Sequence, residues 1–283
     1  MAAYDPRTDF DHVALASEHA WDNLDRYRGD LGGEWVGAGI DPGYYWGQVR
    51  FANGMRVEML EPIPDHPNDF LRRFLDRNGP GPHHLTFKVP DILARIEAAG
   101  LAGYQAIHLN LESEIWKEAF LHPKASHGIV IQLAESNEDE SGDPKPDPLL
   151  PPPRCPWQAT LVRIVHLVAS LDDAIGLFER VLEGSVTRTG TGEMGPWADL
   201  AWLGPGRIRL LQPAGGPVAS WMGDRPGRLH HLAFRCPDPT SVRHAIRLAE
   251  GLYEIAPENN LGTRLRLRSS HLQDDAHCAP FEG

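Results

Sequence analysis

Four polar residues sit in stretches that otherwise suit half-buried strands, and together they make a ligand set for a divalent cation. They are His12 in DHVALAS, Glu58 in MRVEMLEP, His84 in GPHHLTFKV and Gln132 in HGIVIQLAE. In each stretch apolar neighbours alternate, as a strand with one packed face and one face open to a cavity requires. His12 shares a face with Ala14 and Ala16, and His84 shares one with Thr86 and Lys88. Two imidazoles, a carboxylate and an amide oxygen suit a divalent metal ion of intermediate hardness, with zinc, nickel, cobalt, manganese, magnesium and iron all open. Bound there, such a cation would hold two neighbouring substrate oxygens and stabilise an enolate as a proton leaves the adjacent carbon. Each residue alone reads equally well as a hydrogen-bonded core group. Glu58 reads least easily so, because a buried carboxylate needs a partner. Arg56, two residues away on the same strand face, is the alternative to a metal.

These residues need strands to carry them, and the surrounding sequence supplies a repeated pattern. SEHAWDNLDRYRGDLGG, opening on the capping candidate Ser17, and PDILARIEAAG, with Asp91 near its start and Gly100 as its stop, read as helices. Further strand-like runs surround Phe51 and Phe120, so residues 8–135 read as strand–helix–strands, twice. Residues 136–156, SNEDESGDPKPDPLLPPPRCP, are acidic and then proline-rich, an extended linker. Residues 157–283 then repeat the first unit: VRIVHLVASLDDAIGLFERVLEG matches the first strand and helix, GRIRLLQPAGG the Glu58 strand, GRLHHLAFRCPD the His84 strand, and LGTRLRLRSS the Gln132 strand. A repeat of this length is a duplicated domain. The four positions lie 46, 26 and 48 residues apart in the first copy; His166, Arg209, His231 and Arg266 lie 43, 22 and 35 apart in the second. Arginine does not ligate metals, so the second copy is expected to be degenerate and metal-free. Its arginines, with Arg207, Arg264 and Arg268 on the same alternation, are expected to pair with acids, an anion pocket being the sharper alternative. GPGR, PAGGP and GDRPGR read as turns rather than phosphate loops.

The 283 residues suffice for two domains, and the net charge of -12 argues against nucleic acid as a partner. No apolar run approaches the ~20 residues that span a bilayer. The start, MAAYDPRTDF, lacks the basic and apolar regions of a secretory signal. Cys155, Cys236 and Cys278 are scattered, as free thiols would be. The expectation is a cytoplasmic monomer or homodimer acting on a small molecule.

The run EMLEPIPDHPNDFLRRFLDRNGPGPHHLTFKVPDI, followed by AFLHPKASHGIVIQL, resembles the vicinal oxygen chelate superfamily of glyoxalases, bleomycin-resistance proteins and extradiol dioxygenases, and methylmalonyl-CoA epimerase most of all. The resemblance covers residues 8–135 specifically and 160–270 loosely. It implies an α+β fold of tandem βαβββ modules forming two curved mixed β-sheet domains, with metal ligands at His12, Glu58, His84 and Gln132. The epimerases place a metal-binding, proton-transferring glutamate where this chain has Gln132, which cannot be a base. Their second glutamate falls near Tyr45 in YYWGQV. The candidate bases are therefore Tyr45, Glu118 in WKEAFL, or a displaced Glu58. His83, His122 and His127 are expected to be structural. The expected activity is a metal-dependent isomerase, epimerase or lyase acting on an oxo-acyl or thioester-like compound. The alternatives are an extradiol-type dioxygenase, whose usual carboxylate would be on the Gln132 strand, and a non-catalytic binding protein.

Overall fold

The computed structural model describes residues 7–137, 150 and 152–271. Most of the linker and Cys278 lie outside these residues. The first sheet contains β1 (Asp9–Ala16), β2 (Glu34–Asp41), β3 (Tyr44–Arg50), β4 (Arg56–Pro62), β5 (Gly81–Lys88), β6 (Ala106–Asn110), β7 (Trp116–Leu121) and β8 (Val130–Ser136). Their spatial order is β2-β3-β4-β1-β5-β8-β7-β6. β1 runs parallel to β4, and β5 parallel to β8, while β1 and β5 join the two modules antiparallel. The four ligand candidates thus lie on the four central strands. The second sheet repeats this order with β9 (Thr160–Val168), β10 (Ser185–Gly192), β11 (Gly195–Ala201), β12 (Arg207–Leu211), β13 (Gly227–Cys236), β14 (Ile246–Ala249), β15 (Leu252–Ile255) and β16 (Leu265–Ser269). This is the expected α+β architecture of tandem glyoxalase-like domains.

The helices depart from expectation in instructive ways. The segment after β1 forms a 3-10 turn (Ala20–Asn23) and a six-residue π-helix (Asp25–Asp30), closed by Leu31 N donating to Arg26 O. Ser17 accepts from His19 N in a local turn rather than capping a helix. Tertiary demands win here: Arg26 and Asp30 are both buried, and Asp30 is shared with Arg154 and Arg243. The second expected helix forms. Between β5 and β6 it spans Ile92–Leu101, one residue past Gly100, with Asp91 Oδ1 accepting from Ala94 N. Two further α-helices complete the first three: Phe70–Asn78 (α1) before β5, Ile92–Leu101 (α2), and Leu171–Arg180 (α3), which is capped by Ser170. A short α4 (Gly216–Met222) occupies α1's place in the second domain. The α2 position is taken there by a 3-10 turn, Pro239–Ser241.

One core runs through both domains. Phe10 stacks on Phe87, and Trp202 packs against Phe87 and against Phe178 of α3. Two backbone seams also bind the domains. A Cβ on Gly128 (φ +85°) would lie 1.9 Å from Gly227 O, and one on Gly262 (φ +79°) would lie 1.8 Å from Pro80 O. Only glycine permits either approach. Cys155 and Cys236 are free thiols. Among the described residues no helix is long and apolar enough to cross a membrane.

Candidate metal centre

The register of the central strands gathers the expected ligands on one face. Ala14 opposes Glu58 on β4 and His84 on β5, His12 opposes Thr86, and Thr86 opposes Gln132. One ligand atom each from His12, Glu58 and His84 can be chosen so that all lie within 4.8 Å of one another. Glu58 Oε2 is 3.5 Å from both His12 Nε2 and His84 Nε2. The Thr86 hydroxyl lies 2.8 Å from His12 Nε2 and donates to Gln132 Oε1 at 2.6 Å, which ties the amide to the same cluster. His84 Nε2 is buried and makes no hydrogen bond. An orphaned buried nitrogen facing a buried carboxylate is what a cation between them would satisfy. The donor set fits a divalent ion.

Two β-bulges bring in residues that strand alternation hides. Along β1, Phe10 opposes Phe87 and His12 opposes Thr86, which leaves Asp11 as an extra residue. Its Oδ2 reaches His12 Nδ1 at 2.6 Å, the carboxylate–histidine arrangement that orients a metal-binding imidazole. Along β5, Ala14 opposes His84 and Leu15 opposes Pro82, so His83 is the extra residue. Its Nδ1 lies 2.9 Å from His84 Nδ1, and its ring packs on Phe70 and Phe74 of α1. His83 is therefore packed beside the site rather than within the opposite, apolar face.

The charges follow from these contacts. Burial opposes a charged His12, yet Glu58 and Asp11 outweigh it and raise its pKa to about 9. Burial likewise opposes ionisation of Glu58 and Asp11. His12 pulls Glu58 down, and His12, Lys88 and Arg56 hold Asp11 well below the usual carboxylate range. His84 is kept neutral by burial and by His83 beside it. A cation held by His12 Nε2 would take the place of that nitrogen's proton.

Several neighbours differ from expectation. Arg56 lies 3.5 Å from Asp11, and Glu58 accepts from Gln48 Nε2 at 3.0 Å. Tyr45 is turned away from the centre. Gln48 opposes Glu58 and Tyr44 opposes Pro62, so Tyr44, Trp46 and Gln48 share the ligand face while Tyr45 pairs with Glu61 behind it. Glu118 does border the site: its Oε2 accepts from Gln132 Nε2 at 2.7 Å and from Trp116 Nε1 at 3.2 Å. Burial raises its pKa, with Asp41 and Glu58 adding to the rise. Tyr44 stands near the same acids, its phenol pushed up by burial and by Asp41, Glu58 and Glu118. His122 and His127 serve a turn, where His127 O lies 2.7 Å from His166 Nε2.

The second domain requires one correction of register. Val165 opposes both Arg209 and His231, as Ala14 opposes Glu58 and His84. The counterpart of His12 is therefore Arg163, not His166, and Arg163 to Arg209 spans the same 46 residues as His12 to Glu58. His166 corresponds to Leu15 and faces the domain seam. The degenerate centre is Arg163, Arg209, His231 and Arg266. Asp199 binds Arg209 at 2.6 and 2.8 Å and Arg163 at 3.4 Å, while Glu254 binds Arg266 at 2.7 Å. Arg163, Arg209 and Arg266 are paired with acids, whereas Arg207 donates to the backbone carbonyls of Trp202, Gly204 and Gly206.

Residues 11–120 match the family model described as Glyoxalase/Bleomycin resistance protein/Dioxygenase superfamily. No curated protein matches the chain. Among solved structures, a variant of 4-hydroxymandelate synthase from Streptomyces coelicolor matches 93% of this chain and 93% of its own, at 14% identity and a TM-score of 0.64. That likeness extends over both domains and concerns the fold. A methylmalonyl-CoA epimerase from Mycobacterium tuberculosis matches 49% of this chain and 94% of its own, at 23% identity and a TM-score of 0.43. A hypothetical protein from Bacillus halodurans C-125 matches 47% of this chain and 96% of its own, at 26% identity and a TM-score of 0.42. The strand order and the ligand face agree with the sequence match: over residues 11–120 the amino-terminal domain is similar to the glyoxalase/bleomycin resistance protein/dioxygenase superfamily.

Proposed function

We propose that the amino-terminal domain is a metal-dependent proton-transfer enzyme of the isomerase, epimerase or lyase type, with an oxo-acyl or thioester-like small molecule as substrate. His12, Glu58 and His84, with Gln132 beside them, would hold a divalent cation, which when bound supplies Lewis-acid polarisation of a carbonyl. Glu118 is the proposed base. The observation that carries this reading is its placement: a half-buried carboxylate of raised pKa, hydrogen-bonded to Gln132 and so one side chain removed from the ligands. Raising a carboxylate's pKa strengthens it as a base near neutrality. Gln132 supplies an oxygen but no base, which assigns to two residues what one glutamate could do alone.

The test is exchange of solvent deuterium into the carbon next to the carbonyl, across a panel of acyl thioesters and 2-oxo acids. Metal-loaded protein should catalyse exchange, and chelation should abolish it. Glu58→Gln should lose both metal and exchange, whereas Glu118→Gln should keep stoichiometric metal and lose at least about a hundredfold in exchange rate. Exchange by metal-free protein, or none by loaded protein over the whole panel, overturns the proposal. A second reading rests on the two-histidine, one-carboxylate trio itself, which is also the donor set of iron(II) oxygenases. Oxygen uptake with catechols after anaerobic iron loading would select it.

A further inference from the structure

The GDRPGR turn, Gly223–Arg228, is left without a role by the metal centre. It connects α4 to β13 and forms one wall of a cleft of roughly 160 Å³ where the two domains meet. The opposite wall is the Asn78–Pro82 turn of the amino-terminal domain. Three arginines line it, two of them gathered around one indole. Arg228 lies over the Trp221 ring, Cζ 3.7 Å from its centroid, and donates to Trp221 O at 3.0 Å. Arg264 stands 6.0 Å from the same ring, with Nη1 3.1 Å from His230 Nε2. Arg225 completes the lining and is exposed.

These charges lack the neutralisation found elsewhere in the second domain. Among the described residues neither Arg225 nor Arg228 lies within ion-pair distance of a carboxylate, and the Arg264 contact with Glu254 is 3.9 Å. Arg264 Nε is buried without a hydrogen-bond partner. The chain has 39 acidic against 27 basic residues, and among the described residues even Asp224, in the same turn, makes no ion pair with Arg225 or Arg228. Burial, then repulsion from Arg225 and Arg264, lowers the pKa of Arg228. The turn packs closely against the amino-terminal domain: a Cβ on Gly227 would meet His127 O at 2.0 Å.

We infer that this interdomain cleft is an anion site, separate from the metal centre, that takes the phosphate group of a small organic phosphate. Guanidinium forks present paired donors that match phosphate oxygens, and three of them suit a dianion better than a single carboxylate. Arg225 acts as the mobile arm, while Arg228 and Arg264 are positioned by Trp221 and His230.

The experiment is isothermal titration of the intact, chelator-treated protein with inorganic phosphate, at constant ionic strength set with chloride. Chelation removes any phosphate held through a metal. Saturable one-site binding is expected, weakened roughly tenfold in Arg225→Ala and more in Arg264→Gln, as loss of a charge-assisted contact implies. Arg225→Ala touches an exposed side chain without an ion pair, so its folding is secure even if Arg264→Gln proves unstable. Binding no stronger than that of chloride, or an unchanged dissociation constant in Arg225→Ala, overturns the inference. Tighter binding of acetate or succinate than of phosphate overturns the assignment to phosphate.

Discussion

Asp11 is invisible to strand alternation, yet it makes a short contact to one of the candidate ligands. Alternation assigns it to the face opposite His12; the one-residue bulge returns it to the same side, 2.6 Å from His12 Nδ1. Such a partner fixes the tautomer and ring orientation of the imidazole. Asp11→Ala should therefore weaken metal binding about 10- to 100-fold while leaving the fold intact, read by metal titration alongside circular dichroism. Unchanged affinity would make Asp11 a partner of Arg56 and Lys88 only. The four candidate positions, which the sheet gathers on one face, were legible because a polar residue repeated among alternating apolar ones marks a cavity face. Tyr45 was misplaced because a local sequence likeness locates a strand to within one residue, and one residue is a change of face. The second-domain centre was anchored on His166 for the same reason: matching histidine to histidine moved the register by three residues, while the equal 46-residue span from Arg163 to Arg209 pointed to the pairing the sheet uses.

At the scale of elements, α1 covers one end of the ligand face. Its buried Leu71 and Leu75 pack on Ala14, Ala16 and Leu60, and its Phe70 and Phe74 hold His83. The small alanines on β1 make room for the helix. Leu71→Ala should cost about 2–5 kcal/mol in urea unfolding, as large-to-small changes in packed sites do, with metal stoichiometry retained because no ligand lies on α1. Loss of metal together with stability would show that α1 shapes the centre itself. The strands were readable from period-two patterns, α2 from its cap, and α3 from the repeat of the first unit. The helix expected after β1 failed because its charged residues serve the domain contact: Arg26 and Asp30 are drawn inward, and a wider turn accommodates them. α1 went unread although Phe70, Leu71, Phe74 and Leu75 have helical spacing, since prolines flank it on both sides and glycines follow it.

At the scale of the molecule, His166 reports on how the domains are joined. It is fully buried, its Nε2 donates to His127 O across the seam, and its Nδ1 has no partner. Burial therefore lowers its pKa from 6.5 to about 4. The unfolded chain takes up a proton on this imidazole below about 6.5, and the folded chain only near 4. Stability is thus complete above that window and falls as pH drops through it, by about 2 kcal/mol at pH 5. His166→Gln preserves an N–H donor and should remove that part of the acid loss, measured as urea midpoints at pH 7 and pH 5. Equal acid shifts in variant and parent would place the sensitivity in other buried histidines.

The two glycine seams have a further meaning when their positions are compared. With His84 equivalent to His231 and Gln132 to Arg266, Gly128 corresponds to Gly262 and Pro80 to Gly227. The Gly128–Gly227 and Gly262–Pro80 contacts are therefore the same contact made twice, related by an approximate internal dyad. Each half carries both partners of that contact, so the amino-terminal half is complementary to itself. In the whole chain its sibling already makes this contact, leaving no place on that seam for a second copy of the chain.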